Sequence, residues 1–244
     1  DLCGCGIGFK LIQALTQEKG GAIHDIIPFM DLVAMAIAAD IVPIIGENRV
    51  LTHFGLQQIQ DNPRVGIRYF INQFKRKVNV SDLVFVIAPR INGAGRIKHA
   101  RHAVALLLSK DQEEAISRSR AIELFNSERK EIDQKITAQA LDQIKQNKEE
   151  DRFSTVVFQP DWHKGVIGIV ASRLIETYYR PTVVFTQSGD YYTASVRSVK
   201  GVDVYKILVN CQDYIVQFGG HRYAAGLTIN PEDYLPFKKA FEMA

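Results

Sequence analysis

Residues 111–150 read "DQEEAISRSRAIELFNSERKEIDQKITAQALDQIKQNKEE" and contain neither glycine nor proline, and the same holds for the wider span from Ile97 to Gln159. Phe125, Ile132, Ile136, Ala140 and Ile144 recur at helical spacing, with Glu, Lys and Gln filling the other faces. Asp111 followed by Glu114 predicts a capping box at the start of the stretch. The pattern predicts a short helix and then a long one of about ten turns. Such a charged helix with a narrow apolar stripe has too little greasy surface for one core, and it bridges two domains.

On its C-terminal side the grammar changes. "STVVF" (154–158), "TVVFTQ" (182–187), "YYTASVR" (191–197) and "YAAGLTI" (223–229) have strand character. Between the first two, "GVIGIVASRLIETYY" (165–179) is an amphipathic helix ended by Arg180-Pro181, which makes a βαβ-like start to an α/β region. On the N-terminal side, Ile7, Leu11, Ile12 and Leu15 mark a helix over 6–17, and "DLVAMAIAAD" a second over 31–40 with Asp31 as its cap. A turn at Gly46-Glu47-Asn48 follows, and "IAPRINGAGRI" (87–97) reads as a Gly/Pro-punctuated loop carrying two arginines. Composition places the boundary between the two grammars near residue 150.

The chain has 244 residues, 46% of them hydrophobic and 23% charged, an ordinary globular balance. A net charge of +3 means that any affinity for nucleic acid must come from local clusters of Lys and Arg. Three cysteines form no disulfide framework and point to a reducing, cytoplasmic setting. No apolar run approaches the ~18 residues that a membrane span needs. The opening "DLCGCGIGF" lacks an initiator Met and the closing "FKKAFEMA" reads as an unfinished helix, so a piece of a longer protein is expected.

Five places carry possible chemistry. Asp40 ends an Ala-rich helix, where a carboxylate is costly to bury without a cation; taken alone, it reads better as a turn residue bonding to the 47–49 backbone or to Arg49. "PRINGAGR" (89–96) offers Arg90, Asn92 and Arg96 around glycines, suited to phosphate forks or equally to surface ion pairs. "DWHKG" (161–165) precedes a helix start, where free N–H groups favour an anion, or else Trp162 anchors the loop and His163 caps it. "SVRS" (195–198) leaves a strand with hydroxyls and an arginine, which fits a terminal phosphate but also an ordinary strand end. In "GGHR" (219–222) the glycines bring N–H groups against a ligand while a fixed His donates to phosphate; a glycine-rich strand entry is the competing reading. "CGC" (3–5) has no second ligand cluster at matching spacing and reads as packing.

Taken in order, "LCGCGIGFKLIQAL", "DLVAMAIAADIVPIIGENR", "PRINGAGR", the long helix, "WHKGVIGIVASRL", "RPTVVF", "SVRS" and "GGHRYAAG" resemble the DHH/DHHA1 phosphoesterases over nearly the whole chain, most closely their single-strand-specific 5′→3′ DNA exonucleases. The resemblance implies an α/β protein in which a mostly helical remnant of a DHH domain (1–104) is joined by a long helix (105–150) to an α/β DHHA1 domain with a mixed sheet (151–244). It reverses the reading of Asp40, which matches a metal-binding aspartate for two Mn²⁺ or Mg²⁺ ions. Ser195 and Arg197 match residues around the 5′-terminal phosphate, and Gly219, Gly220 and His221 match the DHHA1 signature that holds substrate phosphate. Asp40 and His221 are the implied catalytic residues, with Arg90 and Arg96 lining the same cleft.

The implied activity is two-metal hydrolysis of single-stranded, 5′-phosphorylated DNA to 5′-mononucleotides in repair and recombination, with a single-strand-binding protein and a RecQ-type helicase as partners. The family's Asp-His-His triplet and its Asp-rich motifs do not occur in these residues. They are expected before Asp1, with an oligonucleotide-binding barrel after the chain's end, so these residues alone are expected to lack two metals and nuclease activity. Two other readings stand beside this one: an oligoribonuclease or cyclic-dinucleotide phosphodiesterase of the same family, and a non-catalytic single-strand or phosphate binding module. The long Gly/Pro-free stretch favours the exonuclease over the compact relatives.

Overall fold

The computed structural model describes residues 2–244. The stretch without glycine or proline folds mainly as one helix, α8 (Gln112–Gln146), of 35 residues. Asp111 caps it through the Glu114 amide at 2.8 Å, and Arg118 pairs with Glu114 one turn on. Its buried stripe runs through Ala115, Ser119, Ile122, Asn126, Arg129, Asp133, Ile136, Ala140 and Ile144. At the centre of the stripe the spacing expectation needs correcting, because the buried residue there is Asp133 and Ile132 is only half-buried. The cause is an ion pair: Arg173 Nε lies 3.0 and 2.9 Å from the two Asp133 oxygens, so burial of the carboxylate is compensated. Contacts divide the chain within this helix, into Asp1–Ser127 and Glu128–Ala244.

The first unit is helical: α1 (Gly4–Glu18), α2 (Met30–Ala39), α3 (Gly46–Asp61), α4 (Val65–Ile71), α5 (Val80–Asp82), α6 (Ala88–Ile97) and α7 (Arg101–Leu108), with the first part of α8. Ile59, Ile67, Phe70, Leu83, Ile87, Leu106 and Ile122 form its main core. Each such fully buried side chain contributes about 1.5–3 kcal/mol of transfer free energy.

Three expectations fail here. Residues 46–48, read as a turn, are the first residues of helix α3. Residues 88–97 are helix α6, not a loop. A π-type turn over Leu83–Ile87 leads into it, so the missing N–H and the ring of Pro89 fall where the helical ladder is already widened. Asp31 does not cap α2 either. It sits in the first turn, fully buried, with Arg64 bound across both carboxylate oxygens at 2.7 and 2.9 Å.

The second unit is built on a five-stranded sheet of order β1-β2-β3-β5-β4, made of β1 (Thr155–Phe158), β2 (Thr182–Ser188), β3 (Tyr191–Arg197), β4 (Gln217–His221) and β5 (Ala224–Ile229). β1 and β2 are parallel, joined through α9 (Ile167–Tyr178), and every other pair is antiparallel. A parallel pair needs such a crossover, which is the βαβ start that the periodicity predicts. β4 has strand form that the glycine-rich "QFGGH" did not predict. One face of the sheet packs Val183, Phe185, Ala194, Val196, Leu227 and Ile229 against α10 (Val204–Asn210) and α11 (Tyr234–Met243) through Val204, Leu208, Phe237 and Phe241.

The edge at β1 is closed by a side chain of α8: Gln143 donates to the Phe158 carbonyl and accepts from the Phe158 amide. Buried Arg180 binds the carbonyls of Glu149, Glu150 and Arg152 and the Thr155 hydroxyl, fixing the exit from α8 into the sheet.

Candidate functional site

In the second unit, register brings the separated motifs onto one face. Arg197 pairs with Ala224, and Ala224 with His221; Ser195 pairs with Gly226, and Gly226 with Gly219; Thr193 pairs with Thr228, and Thr228 with Gln217. Directly paired residues project to the same side, so nine positions from β3, β5 and β4 form three rows. The middle strand contributes Ala224 and Gly226, the two smallest side chains available. A trough about 10 Å across therefore lies between Ser195 and Arg197 on one side and Gly219 and His221 on the other, two strand spacings apart. At the end of the trough marked by Thr193 and Gln217 lies an open cavity of ≈ 380 Å³ lined by Lys164, Thr193, Gln217, Gly219, Gly226 and Thr228, among others.

The polar groups around this trough are held in place. Arg197 Nη1 donates to Ser195 Oγ at 3.0 Å and to the Val196 carbonyl at 2.8 Å, which locks guanidinium and hydroxyl together. The Ser195 oxygen is then an acceptor from Arg197 with its own proton left to give. On the opposite bank the Tyr223 amide donates to His221 Nδ1 at 3.2 Å. In the neutral ring this leaves the proton on Nε2, as a donor to a ligand. His221 is exposed.

The two glycines of "GGH" have different reasons to be there. Gly220 has φ +154, and a Cβ on it would overlap the Ala224 carbonyl oxygen and lie 2.5 Å from Ala225 Cα. Nothing lies within 4 Å of a Cβ built on Gly219, so the fold does not need a glycine there; it faces the open trough. A third glycine completes the bank: at the start of α9, a Cβ on Gly168 would sit 2.9 Å from Ser195 Oγ and 3.0 Å from Arg197 Nη2. In the preceding loop, Trp162 is buried with its Nε1 donating to Gln139, and His163 Nδ1 accepts from the Gly165 amide. That agrees with the anchoring reading of "DWHKG", while Lys164 reaches the trough.

In the first unit, Asp40 is the C-terminal cap of α2 and its carboxylate is exposed. It borders a cavity of ≈ 360 Å³ with Cys5, Leu32, Met35, Ile87, Asn92 and other, mostly apolar, side chains. Ile41 follows at φ +54, a costly conformation for a β-branched residue, and it turns the chain away directly behind the carboxylate. The thiol of Cys5 is pushed up by burial and, more weakly, by Cys3, Asp31 and Asp40. The residue of "PRINGAGR" that shares this cavity is Asn92. Arg90 donates to the Val86 carbonyl at 2.7 Å, lies 3.6 Å from Glu123 of α8 and stacks over Phe70. Arg96 lies on the exposed last turn of α6.

Two Mn²⁺ or Mg²⁺ ions need several hard oxygen and imidazole ligands. Among the described residues no three His, Cys, Asp or Glu side chains gather as a metal set, so Asp40 supplies at most one ligand and a two-ion centre does not fit these residues by themselves.

Sequence reading missed Thr193, Gly168, Gln217, Gly226 and Thr228 as members of the trough, whereas Lys164 stood in the candidate anion site of "DWHKG". The period of two in "TASVR" and "AAGLT" marks which of them share a face, but only the pairing register says that those faces coincide.

The family model of the DHHA1 domain matches residues 150–244. The single-stranded-DNA-specific exonuclease RecJ of Bacillus subtilis is 35% identical to this chain over 238 residues, which cover 96% of the chain and 29% of that protein. RecJ from Thermus thermophilus in complex with Mn²⁺ superposes with a TM-score of 0.89 at 31% identity, covering 98% of this chain and 35% of that one. The same protein in complex with Mg²⁺ gives 0.88 at 29% identity, with 98% and 37% covered. The chain thus spans about a third of the length of these relatives. Among the described residues no helix is long and apolar enough to cross a membrane.

Proposed function

This chain belongs to the RecJ-type DHH/DHHA1 phosphoesterases, and from that premise we propose that it is the phosphate-gripping part of a 5′→3′ single-stranded-DNA exonuclease of DNA repair and recombination. The observation that carries the reading is the single face on which Ser195, Arg197, Gly219 and His221 meet over a floor of Ala224 and Gly226. Arg197 and Ser195 form one rigid donor pair for a 5′-terminal phosphate, and His221 Nε2–H donates from the opposite bank. The lack of side chains at Gly219 and Gly226 lets a nucleotide lie against the strands. Gly220 acts through the backbone, by shaping the strand that presents His221. Asp40 is one ligand of the Mn²⁺ or Mg²⁺ site, and Arg90 and Arg96 serve substrate phosphate from the first unit. Residues 1–104, 105–150 and 151–244 act as metal-binding part, connecting helix and substrate domain.

The substrate is single-stranded DNA with a 5′-phosphate in a cytoplasmic setting, with a single-strand-binding protein and a RecQ-type helicase as partners. With a single family metal aspartate among them, these residues alone bind nucleic acid without cleaving it, which is the second reading that the metal-poor donor set favours. Robust Mn²⁺-dependent release of mononucleotides by the 244 residues, or a Mn²⁺ titration followed by electron paramagnetic resonance that reveals two tight ions, would sink that part.

The test of the phosphate site is a titration with 5′-phosphorylated and 5′-hydroxyl oligo(dT). A charge-assisted phosphate contact of about 1.5–3 kcal/mol gives a preference of roughly 10–100-fold for the phosphorylated strand. Arg197→Gln abolishes that preference while leaving hydroxyl-strand binding in place. Equal affinities for both strands in the unmodified chain overturn the assignment.

A further inference from the structure

Between Asp82 and Asp111 the chain has no Asp or Glu at all, yet it carries Arg90, Arg96, Lys98, Arg101 and Lys110 together with His99 and His102. This stretch alone exceeds the +3 of the whole chain, so the remainder is net acidic. The charge is also concentrated in space. Arg96 ends α6, Lys98 forms the sharp connection at φ −121 and ψ −113, and Arg101 begins α7, so the cations cluster on a single tight turn. Lys98, His99 and Arg101 are all exposed. The turn has a defined shape. The Arg101 amide donates to His99 Nδ1 at 3.1 Å, so the neutral ring carries its proton on Nε2. His102 stands with its ring edge-on to Phe125 of α8, which ties the start of α7 to the core.

We propose that the α6–α7 turn is a further nucleic-acid contact, where Lys98, His99 and Arg101 seat internal backbone phosphates of a single strand. The inference rests on the exonuclease reading for its choice of nucleic acid as the polyanion. Its chemistry differs from that of the trough. There, a terminal phosphate meets short donors on rigid strands; here, long exposed cations on a turn suit diffuse, sequence-independent tracking of a backbone. A stretch of chain this rich in cations and free of acids sets up a positive local potential, and that potential draws in a polyanion.

The experiment measures equilibrium binding of the full chain to fluorescent 5′-phosphorylated oligo(dT), one of about 20 nucleotides and one a trinucleotide, over a series of salt concentrations. The perturbation is the double variant Lys98→Gln/Arg101→Gln, whose exposed sites leave the fold intact, as thermal unfolding checks. Each lost single-strand phosphate contact removes about 0.7 from the log–log salt slope, so the double variant loses about 1.4 and binds the long strand roughly tenfold more weakly at moderate salt. Trinucleotide binding changes less than about twofold.

An unchanged slope and affinity for the long strand overturn the inference, as does an equal loss on the trinucleotide, which would place these cations at the terminal site. The two readings fail separately. Loss of the 5′-phosphate preference in the unmodified chain strikes the proposed trough, whereas a normal preference with an unaffected double variant strikes only the turn.

Discussion

Substituting alanine for each of the two adjacent glycines of "GGH" in turn should have opposite consequences. At Gly220 the backbone φ of +154 is strained for an L side chain, and the added methyl would overlap the Ala224 carbonyl oxygen and lie 2.5 Å from Ala225 Cα and 2.7 Å from Ala225 Cβ. The neighbours are backbone and a short side chain on the paired strand, so neither moves cheaply. Backbone strain of about 1–3 kcal/mol and overpacking of about 1–3 kcal/mol add to a loss of roughly 2–6 kcal/mol. For a unit of this size that lowers Tm by about ten degrees or more. At Gly219 the methyl enters open space, and stability stays within about 1 kcal/mol of the parent, with a slight gain from a stiffer unfolded chain.

Nucleotide binding should respond the other way round. The Gly219→Ala methyl rises beside the trough floor, and one misplaced methyl in a binding site costs about tenfold in affinity. Urea unfolding of both variants, paired with oligonucleotide titration, reads the two effects separately. If Gly220→Ala is as stable as the parent, or if Gly219→Ala is equally destabilised, the division of labour between the two glycines is refuted.

Further expectations concern the surroundings of the site. Gly168→Ala puts a methyl 2.9 Å from Ser195 Oγ and 3.0 Å from Arg197 Nη2; because those two groups are bonded to each other, making room for it disturbs the pair at a cost of about 1–3 kcal/mol, while the preference for a 5′-phosphate falls several-fold in the same titration. Asp133→Asn removes the charge facing Arg173 and Arg129 inside α8 and costs about 2–3 kcal/mol by urea unfolding; the figure sits below the usual range for a buried pair because Arg173 is 45% exposed. Hydrogen bonds from Arg76 hold the Asp82 carboxyl below the usual carboxylate range, with burial opposing them. A lowered folded-state value makes this pair stabilising above the ordinary carboxylate pKa of about 3.9, with the benefit lost as pH falls through the folded value. Asp82→Asn should therefore flatten the acid limb of the stability curve in stepped-pH denaturation; parallel curves for parent and variant would refute this. The Cys211 thiol, pushed up to about 11 by burial, should resist alkylation of the native protein at about pH 8, whereas Cys5, although its thiol is also raised, is exposed and should react, as peptide mapping will report.

Local pattern was a good guide wherever one short window contains the whole cause. The absence of breakers plus the Asp111 cap was enough for α8, and the apolar run between two β-rich segments was enough for the crossover helix α9. "PRINGAGR" misled because glycine and proline normally interrupt a helix; here the π-type turn before Pro89 absorbs the proline, and a Cβ at Gly93 or Gly95 would make only ordinary contact with Asn126 or Ala100, so helical packing outweighs the low helix propensity of the two glycines. Asp31, read as a cap, and Ile132, read as the stripe residue where Asp133 is buried, misled for another reason. A carboxylate in a helix reads as surface or cap until its partner is known, and Arg64 and Arg173 lie 33 and 40 residues away.

Short windows of sequence were enough for the long helix, the βαβ start that follows it, the change of grammar between the two halves, and which polar side chains are candidates for gripping phosphate, because periodicity, caps and motif spacing act over a few residues. The folded chain was needed to see that Ser195, Gly226 and Gly219 share one row, that Gly219 opens the trough while Gly220 shapes its strand, and that Asn92 rather than Arg90 borders the cavity of Asp40. Strand register and side-chain facing arise from packing between segments far apart in the chain. A shift of one residue in that register would turn every one of these groups to the opposite face.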